Sequence, residues 1–189
     1  MTFDTGPSLE LQTLFHMLCK AVTVELYQKI AIPLTPEDVW RSLNDPDILK
    51  QCLPGCEEFS PAAEPNKFLI VLKAKVGPVK ATFNGEVELS DINPPHSYVL
   101  SGGGKGGVAG FAKGSASVQL TPIEIDGAPG TTMSYKVDAS VGGKIAQIGS
   151  RLVSGAAKKM ASEFFTNFVR VVTNDPDRVV ELQTVSTEG

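Results

Sequence analysis

Small residues at alternating positions constrain this chain more than any other feature of its sequence. Segments 68–76, 79–89, 112–121 and 133–141 alternate apolar and polar side chains with the period of two that is typical of a half-buried β-strand. Over 112–121 the apolar set is mostly small: Ala112, Gly114, Ala116, Val118 and Leu120. Segment 143–173 has apolar residues at helical spacing, and its middle, from Gly149 to Ala157, is also small.

Small side chains on two facing layers have two physical explanations. Protein interiors pack at nearly crystal density, so the layers either approach very closely or enclose a cavity. In a sheet that wraps around a helix we favour the cavity. An internal apolar cavity suggests that the protein binds a hydrophobic small molecule.

The order of predicted elements indicates an α+β fold. A strand over 22–32 precedes two short helices, which begin at Thr35 and at Asp45–Pro46. Six strands follow, at about 56–62, 67–76, 79–91, 96–103, 109–122 and 130–141, and a long helix runs from about 143 to 173. Because strands and helices are segregated along the chain, we expect one curved antiparallel sheet wrapped around the C-terminal helix.

The domain organisation follows from the same pattern. We expect an N-terminal extension over 1–21, a single ligand-binding domain over 22–173 and a polar, frayed C-terminal tail over 174–189. No apolar run reaches transmembrane length, and the N-terminus lacks the features of a signal peptide. Three cysteines without framework spacing fit a reducing compartment. We therefore expect a cytoplasmic protein.

Net charge and composition exclude some classes of partner. The formal net charge is −4 and aromatic residues make up 7% of the chain. A protein that binds nucleic acid through phosphate contacts and base stacking carries the opposite balance. We therefore expect no nucleic-acid partner.

The glycine-rich segment Gly102–Gly110 formally contains the pattern GxGxxG. A dinucleotide-binding loop of this kind needs a helix directly after it, and here a strand pattern follows. The segment is therefore either a wide hairpin connection or a mobile lid or docking loop at the mouth of the cavity, with Lys105 at its tip. Glycine backbone freedom is compatible with both.

The histidines and cysteines do not form a recognisable catalytic or metal-binding set. Cys52 and Cys56 lie four residues apart without further nearby ligands, whereas zinc sites take four. His16 and His96 lack an accompanying nucleophile motif. We expect no catalytic residues, no metal site and no covalent cofactor.

Four segments in order carry a family resemblance: Pro36–Glu57 (PEDVWRSLNDPDILKQCLPGCE), Val76–Leu89, Lys105–Leu120 and Val141–Phe168. They resemble the family of the carbon monoxide dehydrogenase G subunit (CoxG), part of the START-like (SRPBCC) superfamily with the helix-grip fold. The resemblance spans roughly residues 22–172.

The resemblance implies an accessory protein and not an enzyme. Such proteins accompany molybdenum-containing dehydrogenases of the carbon monoxide type and bind a quinone or similar lipid, which would link the enzyme to the membrane quinone pool. Many also carry a membrane-binding C-terminus, from which the polar tail 174–189 departs. We therefore expect peripheral contact with the inner face of the cytoplasmic membrane and no stable anchor.

Ten residues are expected to line the cavity and contact the quinone or lipid. They are Trp40, Phe68, Phe83, Phe111, Ala116, Tyr135, Ala139, Ile148, Leu152 and Phe164. The hydroxyl of Tyr135 needs a partner when it is buried, and either a ligand carbonyl or a backbone carbonyl would serve.

Two other functions stay open at this stage. The protein could be an assembly factor whose pocket is incidental, or a helix-grip enzyme such as a cyclase or hydrolase. The enzyme would need titratable groups on the inward faces, and Tyr135 is essentially the only one there. The basic residues of the C-terminal helix are either a solvated face or a docking stripe for a membrane or a partner.

Overall fold

The computed structural model describes residues 21–185 and confirms the α+β class. One antiparallel sheet of eight strands has the order β2-β3-β4-β5-β6-β7-β1-β8. The strands are β1 Val22–Ile32, β2 Cys56–Pro61, β3 Lys67–Val76, β4 Val79–Asn93, β5 Ser97–Lys105, β6 Phe111–Ile125, β7 Ala128–Gly142 and β8 Leu182–Thr184. From β2 to β7 each strand pairs with the next along the chain, and β1 pairs with β7.

Four helices complete the fold: α1 Pro36–Leu43, α2 Pro46–Cys52, α3 Lys144–Gln147 and α4 Ser150–Thr173. The two predicted helix starts are confirmed by their caps. The Thr35 hydroxyl accepts a hydrogen bond from the Asp38 amide at 3.2 Å. The Asp45 carboxylate accepts from the amides of Asp47 and Ile48 at 2.9 and 3.3 Å. Both helices therefore begin with satisfied amides.

The predicted continuous C-terminal helix is wrong at its start. The chain forms the short α3, breaks at Ile148–Gly149, and begins α4 at Ser150. Gly149 has a φ of +99°, which other residues rarely adopt, so the backbone leaves the helical path there. The predicted end of the helix is confirmed, because α4 ends at Thr173 and the next residue, Asn174, adopts the left-handed conformation that terminates many helices.

Part of the C-terminal tail belongs to the sheet. Leu182–Thr184 forms β8 and pairs antiparallel with Gln28–Ile30 of β1. The prediction of a frayed tail is therefore wrong for these three residues. The expected boundaries after residues 21 and 173 stay predictions, and residues 1–20 of the expected N-terminal extension lie outside the described residues.

Three glycines on adjacent strands bring the backbones of the central sheet unusually close. A Cβ on Gly85 would lie 2.2 Å from the Gly103 oxygen, and one on Gly114 would lie 2.6 Å from the Asp138 oxygen. A Cβ on Gly102 would meet the Glu86 oxygen at 2.5 Å. No other residue fits at these positions without a shift of the backbone. Such glycines allow a sheet to bend.

The antiparallel strands give the molecule two distinct ends. The loop end comprises residues 75–80, 105–113 and 142–152, which connect β3 to β4, β5 to β6 and β7 to α4. The cap end comprises residues 33–47, 61–67, 91–97, 124–128 and 174–178, where α1 and α2 begin and α4 ends. α4 packs mainly on β1 and α2, with a smaller contact to β3.

Two apolar clusters form the core. The cluster nearer the cap end contains Ile30, Ile32, Val39, Leu43, Cys52, Tyr98, Leu120, Met133, Tyr135, Phe165, Phe168 and Val169. The cluster nearer the loop end contains Val24, Leu26, Val76, Phe83, Val141, Ile145 and Val153. The second cluster unites residues of β1, β3 and α4, so α4 bridges the two flanks of the sheet above its central strands.

Candidate functional site

A row of inward-facing residues crosses the sheet from β3 to β1 and is large at both ends but small in the middle. In order it reads Phe68, Val87, Gly102, Gly114, Ala139 and Val24. The rows on either side place Ala112 and Ala116 next to Gly114 on β6. We call the space above Gly102, Ala112, Gly114, Ala116 and Ala139 the inner hollow.

The residues of the inner hollow are incompletely covered by the rest of the protein. These five residues are only partly buried, whereas Val24, Val76 and Phe83 on the flanks are buried. The residues of α4 that pack against the loop-end cluster beside Val153 are the small Ala156, Ala157 and Ala161. Apolar residues that stay accessible to water on the inner face of a sheet, below a helix, are expected of an apolar binding site.

The ten predicted site residues do not form one cluster. Ala116 and Ala139 lie in the inner hollow, and Phe68, Phe83 and Ile148 lie on its flanks or at its loop end. Tyr135 and Phe164 belong to the core nearer the cap end. Trp40 packs against the same cap-end core from α1, and Phe111 and Leu152 lie elsewhere.

Trp40 lies in a groove on the outside of the cap end. Its ring meets Tyr98 edge-on with centroids 5.4 Å apart. Together with Arg41, Pro94 and Pro95 it lines an open groove of about 690 Å³. The structure therefore separates Trp40 from the inner hollow. Its prediction as a cavity residue rests on size and hydrophobicity, which do not distinguish an inner from an outer surface of a short helix.

Phe111 is on the outer face of the sheet, so its prediction as a cavity residue is wrong. It is 41% exposed, and its ring covers Gly142, whose missing Cβ would lie 2.3 Å from the Phe111 Cε1 atom. Phe111 precedes Ala112 and therefore points to the opposite face. Leu152 is 52% exposed at the rim, where its Cδ1 lies 3.8 Å from the Cβ position of Gly77.

The hydroxyl of Tyr135 already has a partner inside the protein. It donates a hydrogen bond to Gln28 Oε1, and Gln28 Nε2 lies 3.5 Å from the Thr184 hydroxyl of β8. The Tyr135 ring packs on Phe165 with centroids 4.5 Å apart. Burial raises the pKa of Tyr135 above its ordinary value, so the hydroxyl stays protonated. Neither a ligand carbonyl nor a backbone carbonyl holds it.

Gln28 is a site residue that sequence reasoning alone does not find. Its side chain is buried, and it occupies an inward position of β1 in the series Val24, Leu26, Gln28 and Ile30. A polar residue in an otherwise apolar inward set needs an internal partner. That break in the alternation is the signal that could identify it.

The glycine-rich segment packs against the sheet as a closed connection. Gly107–Ala109 forms a single 3₁₀ turn, and the Gly106 amide donates to the Gly110 oxygen at 2.8 Å. Gly106 lies directly against Phe83, and Gly110 lies against the Gly142 oxygen. A strand follows the segment and not a helix, which excludes the dinucleotide-binding geometry.

The two cysteines of the described part are shifted toward the protonated thiol. Burial raises the pKa of Cys52 to about 11. Burial also raises the pKa of Cys56, while the charge of Lys50 and a hydrogen bond with the Glu58 backbone act in the opposite direction. Across residues 21–185 no three His, Cys, Asp or Glu side chains are grouped so as to hold a metal ion. In the same range no helix is long and apolar enough to cross a membrane.

Comparison with protein families decides the affiliation. The family model of the carbon monoxide dehydrogenase G subunit (CoxG) matches residues 29–173. The chain belongs to the CoxG family. No curated protein matches this CoxG-family chain.

Solved structures agree with the fold of this CoxG-family protein. It is similar to a conserved protein from Geobacillus kaustophilus, with 32% identity, a TM-score of 0.74, and coverage of 85% of this chain and 99% of that one. It is also similar to the Zhui aromatase/cyclase from Streptomyces sp. R1128, with 10% identity, a TM-score of 0.56, and coverage of 80% and 94%. It is similar as well to Ara h 8.0201, with 14% identity, a TM-score of 0.53, and coverage of 80% of this chain and 99% of that one. The last two similarities show the helix-grip fold, which confirms that prediction.

Proposed function

We propose that this protein is a non-catalytic accessory protein that binds an apolar small molecule, a quinone or a similar lipid, in the inner hollow. It would serve a molybdenum-containing dehydrogenase of the carbon monoxide type in the cytoplasm, and would exchange its ligand with the membrane quinone pool. The observation that carries the proposal is the row of small, partly buried residues beneath α4. CoxG family membership supports the choice of partner enzyme.

The chemistry of the hollow favours binding over catalysis. The inward positions of β4 to β7 around the hollow carry apolar residues and two tyrosines, Tyr98 and Tyr135, but no carboxylate, imidazole or amine. A helix-grip cyclase or hydrolase needs groups that transfer protons to or from its substrate. An apolar ligand needs only burial, which contributes about 25 cal/mol per Å² of apolar surface.

A role as an assembly factor without ligand transfer is the second candidate. It predicts that the inner hollow has no occupant in the cell. Native mass spectrometry of gently purified protein separates the two candidates, because a bound lipid or quinone adds its own mass. Protein that is always empty would favour the assembly factor.

The direct test enlarges the residues of the hollow. We expect Ala116→Leu and Ala139→Leu to leave the melting temperature of ligand-stripped protein unchanged or slightly raised, because the added methylenes enter free space. Both variants should weaken binding of a water-soluble quinone analogue by about tenfold or more, equivalent to about 1.4 kcal/mol. Ligand binding is measured as the concentration-dependent rise in melting temperature.

The matched control is Ala31→Leu, which makes the same change at an exposed position of β1. It should affect neither stability nor binding. If Ala116→Leu and Ala139→Leu instead each destabilise the stripped protein by about 1–3 kcal/mol, the positions are tightly packed and the hollow is not a binding site.

A further inference from the structure

Six basic residues lie at or beside the loop end without any acidic neighbour in sequence. They are Lys75, Lys80, Lys105, Lys113, Lys144 and Arg151, and all are exposed. Residues 74–83, 101–117 and 139–157 contain no Asp or Glu. In a chain whose net charge is −4, this is a local concentration of positive charge that the overall composition conceals.

The three segments that carry these cations meet in the fold. Gly77 of the β3–β4 turn lies beside the Leu152 and Ile148 side chains, and Gly110 of the β5–β6 connection lies against Gly142. The register also pairs Lys75 with Lys80. The basic residues therefore share one end of the molecule.

Three apolar side chains project among the cations. Val108 is 84% exposed at the 3₁₀ turn, Leu152 is 52% exposed at the start of α4, and Phe111 is 41% exposed. Nothing in the described part of the chain covers them. A surface that combines protruding apolar side chains with dispersed positive charge matches the chemistry of an interfacial membrane-binding surface.

The six cations make no ion pair that would hold the fold together. None of the six lies within 4.0 Å of an acidic side chain among residues 21–185, whereas Lys67, Lys73, Lys136 and Lys159 elsewhere do. Six like charges at one end repel one another, which opposes folding. An anionic partner would offset this repulsion.

We propose that the loop end docks on the surface of a bilayer that contains anionic lipid, with Val108 and Leu152 entering the headgroup region. The purpose of this docking rests on the proposed function. Docking would bring the loop-end rim of the inner hollow to the lipid that supplies the ligand. The docking itself requires no ligand and no membrane-spanning segment.

The residue types favour a bilayer over an acidic protein. Five of the six cations are lysines. Protein interfaces are depleted in Lys and enriched in Arg, Tyr and Trp. A negatively charged membrane surface attracts Lys and Arg through charge alone.

The test is co-sedimentation of the full chain with ligand-free vesicles. We expect binding to vesicles of phosphatidylcholine and phosphatidylglycerol in equal parts, and at least about tenfold weaker binding to phosphatidylcholine alone. Raising the salt concentration should weaken the binding, because exposed charges are screened. Lys105→Gln combined with Arg151→Gln should weaken it by about 25-fold, at about fivefold per cation. Val108→Ser should weaken it severalfold without altering the salt dependence.

The control pair is Lys136→Gln combined with Lys159→Gln, which removes the same charge from exposed positions outside the three segments. It should retain most of the binding. Equal binding to both vesicle types, equal losses in both double variants, or no binding to any vesicle would each overturn the docking proposal. The quinone-analogue titration is carried out without vesicles, so the ligand site and the docking surface can fail independently.

Discussion

The cap end and the loop end carry opposite charge, and they use it differently. The cap end is rich in Asp and Glu: Glu37, Asp38, Asp45, Asp47, Glu64, Asp91, Glu124, Asp126, Asp175 and Asp177. Several of these acids make local bonds that the fold needs. Asp45 caps α2, and the Asp175 carboxylate accepts from the Asp177 amide at 3.2 Å. Asp91 adopts positive φ within β4, at the register shift between Ser90 and Asn93, and Asp126 adopts it in the β6–β7 turn.

The loop end is shaped by glycine and not by its charged residues. Gly77, Gly107, Gly110 and Gly143 all have positive φ there, and Gly110 and Gly143 lie in backbone contact with the opposing connection. A charged residue is therefore informative about function mainly where local folding does not already require it. The acids at the cap end are largely explained by turns and caps, and the cations at the loop end are not.

The largest effect is expected where the glycine backbone is tightest. Gly110→Ala should lower the free energy of unfolding by about 3 kcal/mol or more, because its Cβ would lie 1.9 Å from the Gly142 oxygen at a φ of +113°. Urea denaturation measures the change. Gly107→Ala is the control within the same turn. There is open space around the Cβ position of residue 107, so this substitution should lower the free energy of unfolding by only about 1 kcal/mol, through the positive φ. Equal losses would mean that steric closure does not define this end.

An intermediate effect is expected from a cap. Asp45→Ala should lower the free energy of unfolding by about 1 kcal/mol, because two amides of α2 lose their acceptor. Asp47→Ala, in the first turn of the same helix, should lower the free energy of unfolding by only a few tenths of a kcal/mol, because it removes only the weaker interaction with the helix dipole. If the Asp45→Ala variant had the same free energy of unfolding as the parent chain, that result would contradict the structural role that we assign to acids at the cap end.

The smallest effect on stability is expected from the loop-end cations. The Lys105→Gln and Arg151→Gln double variant should stay within about 0.5 kcal/mol of the parent chain in the same urea experiment, since exposed unpaired charges contribute little. A slight gain from reduced repulsion would also fit. A loss above about 1 kcal/mol would show that these cations support the fold, and the contrast between the two ends would no longer hold.

Much of the fold could be predicted because period-two alternation is a direct record of a sheet with one buried face. The predicted strand starting at 79 ends within two residues of the observed end of β4, and the starts of α1 and α2 follow from Thr35 and Asp45. The break at Gly149 could not be predicted, because apolar spacing continues across it and a single glycine is tolerated in many helices. β8 has only three residues and no alternation to detect.

The candidate site is less predictable from the sequence, first because hydrophobic bulk does not determine which face a side chain occupies. Phe111 and Trp40 are as large and apolar as the residues of a cavity wall. In the structure, Phe111 covers the outer face of the sheet and Trp40 lines an outer groove. Large apolar residues at the ends of strands and on short helices therefore say little about a cavity.

Small residues are ambiguous for a second reason, because they have two physical origins. Gly85, Gly102 and Gly114 are required by close backbone approach between neighbouring strands. Ala116 and Ala139 already carry a Cβ, so the same requirement does not explain them. The alanines and their incomplete burial are therefore what indicates the inner hollow.

The direction of β8 has a mechanical consequence. β1 runs from the loop end toward the cap end, and β8 is antiparallel to it, so the chain at Thr184 travels toward the loop end. The Val185 amide continues the pairing with the Tyr27 oxygen at 2.9 Å. A force applied to the chain beyond Val185 in that direction would load the β8–β1 hydrogen bonds in shear, all together, and would not peel them one at a time. The same force would reach Tyr135 through the side chains of Thr184 and Gln28, so tension on the tail and the packing of the interior are linked.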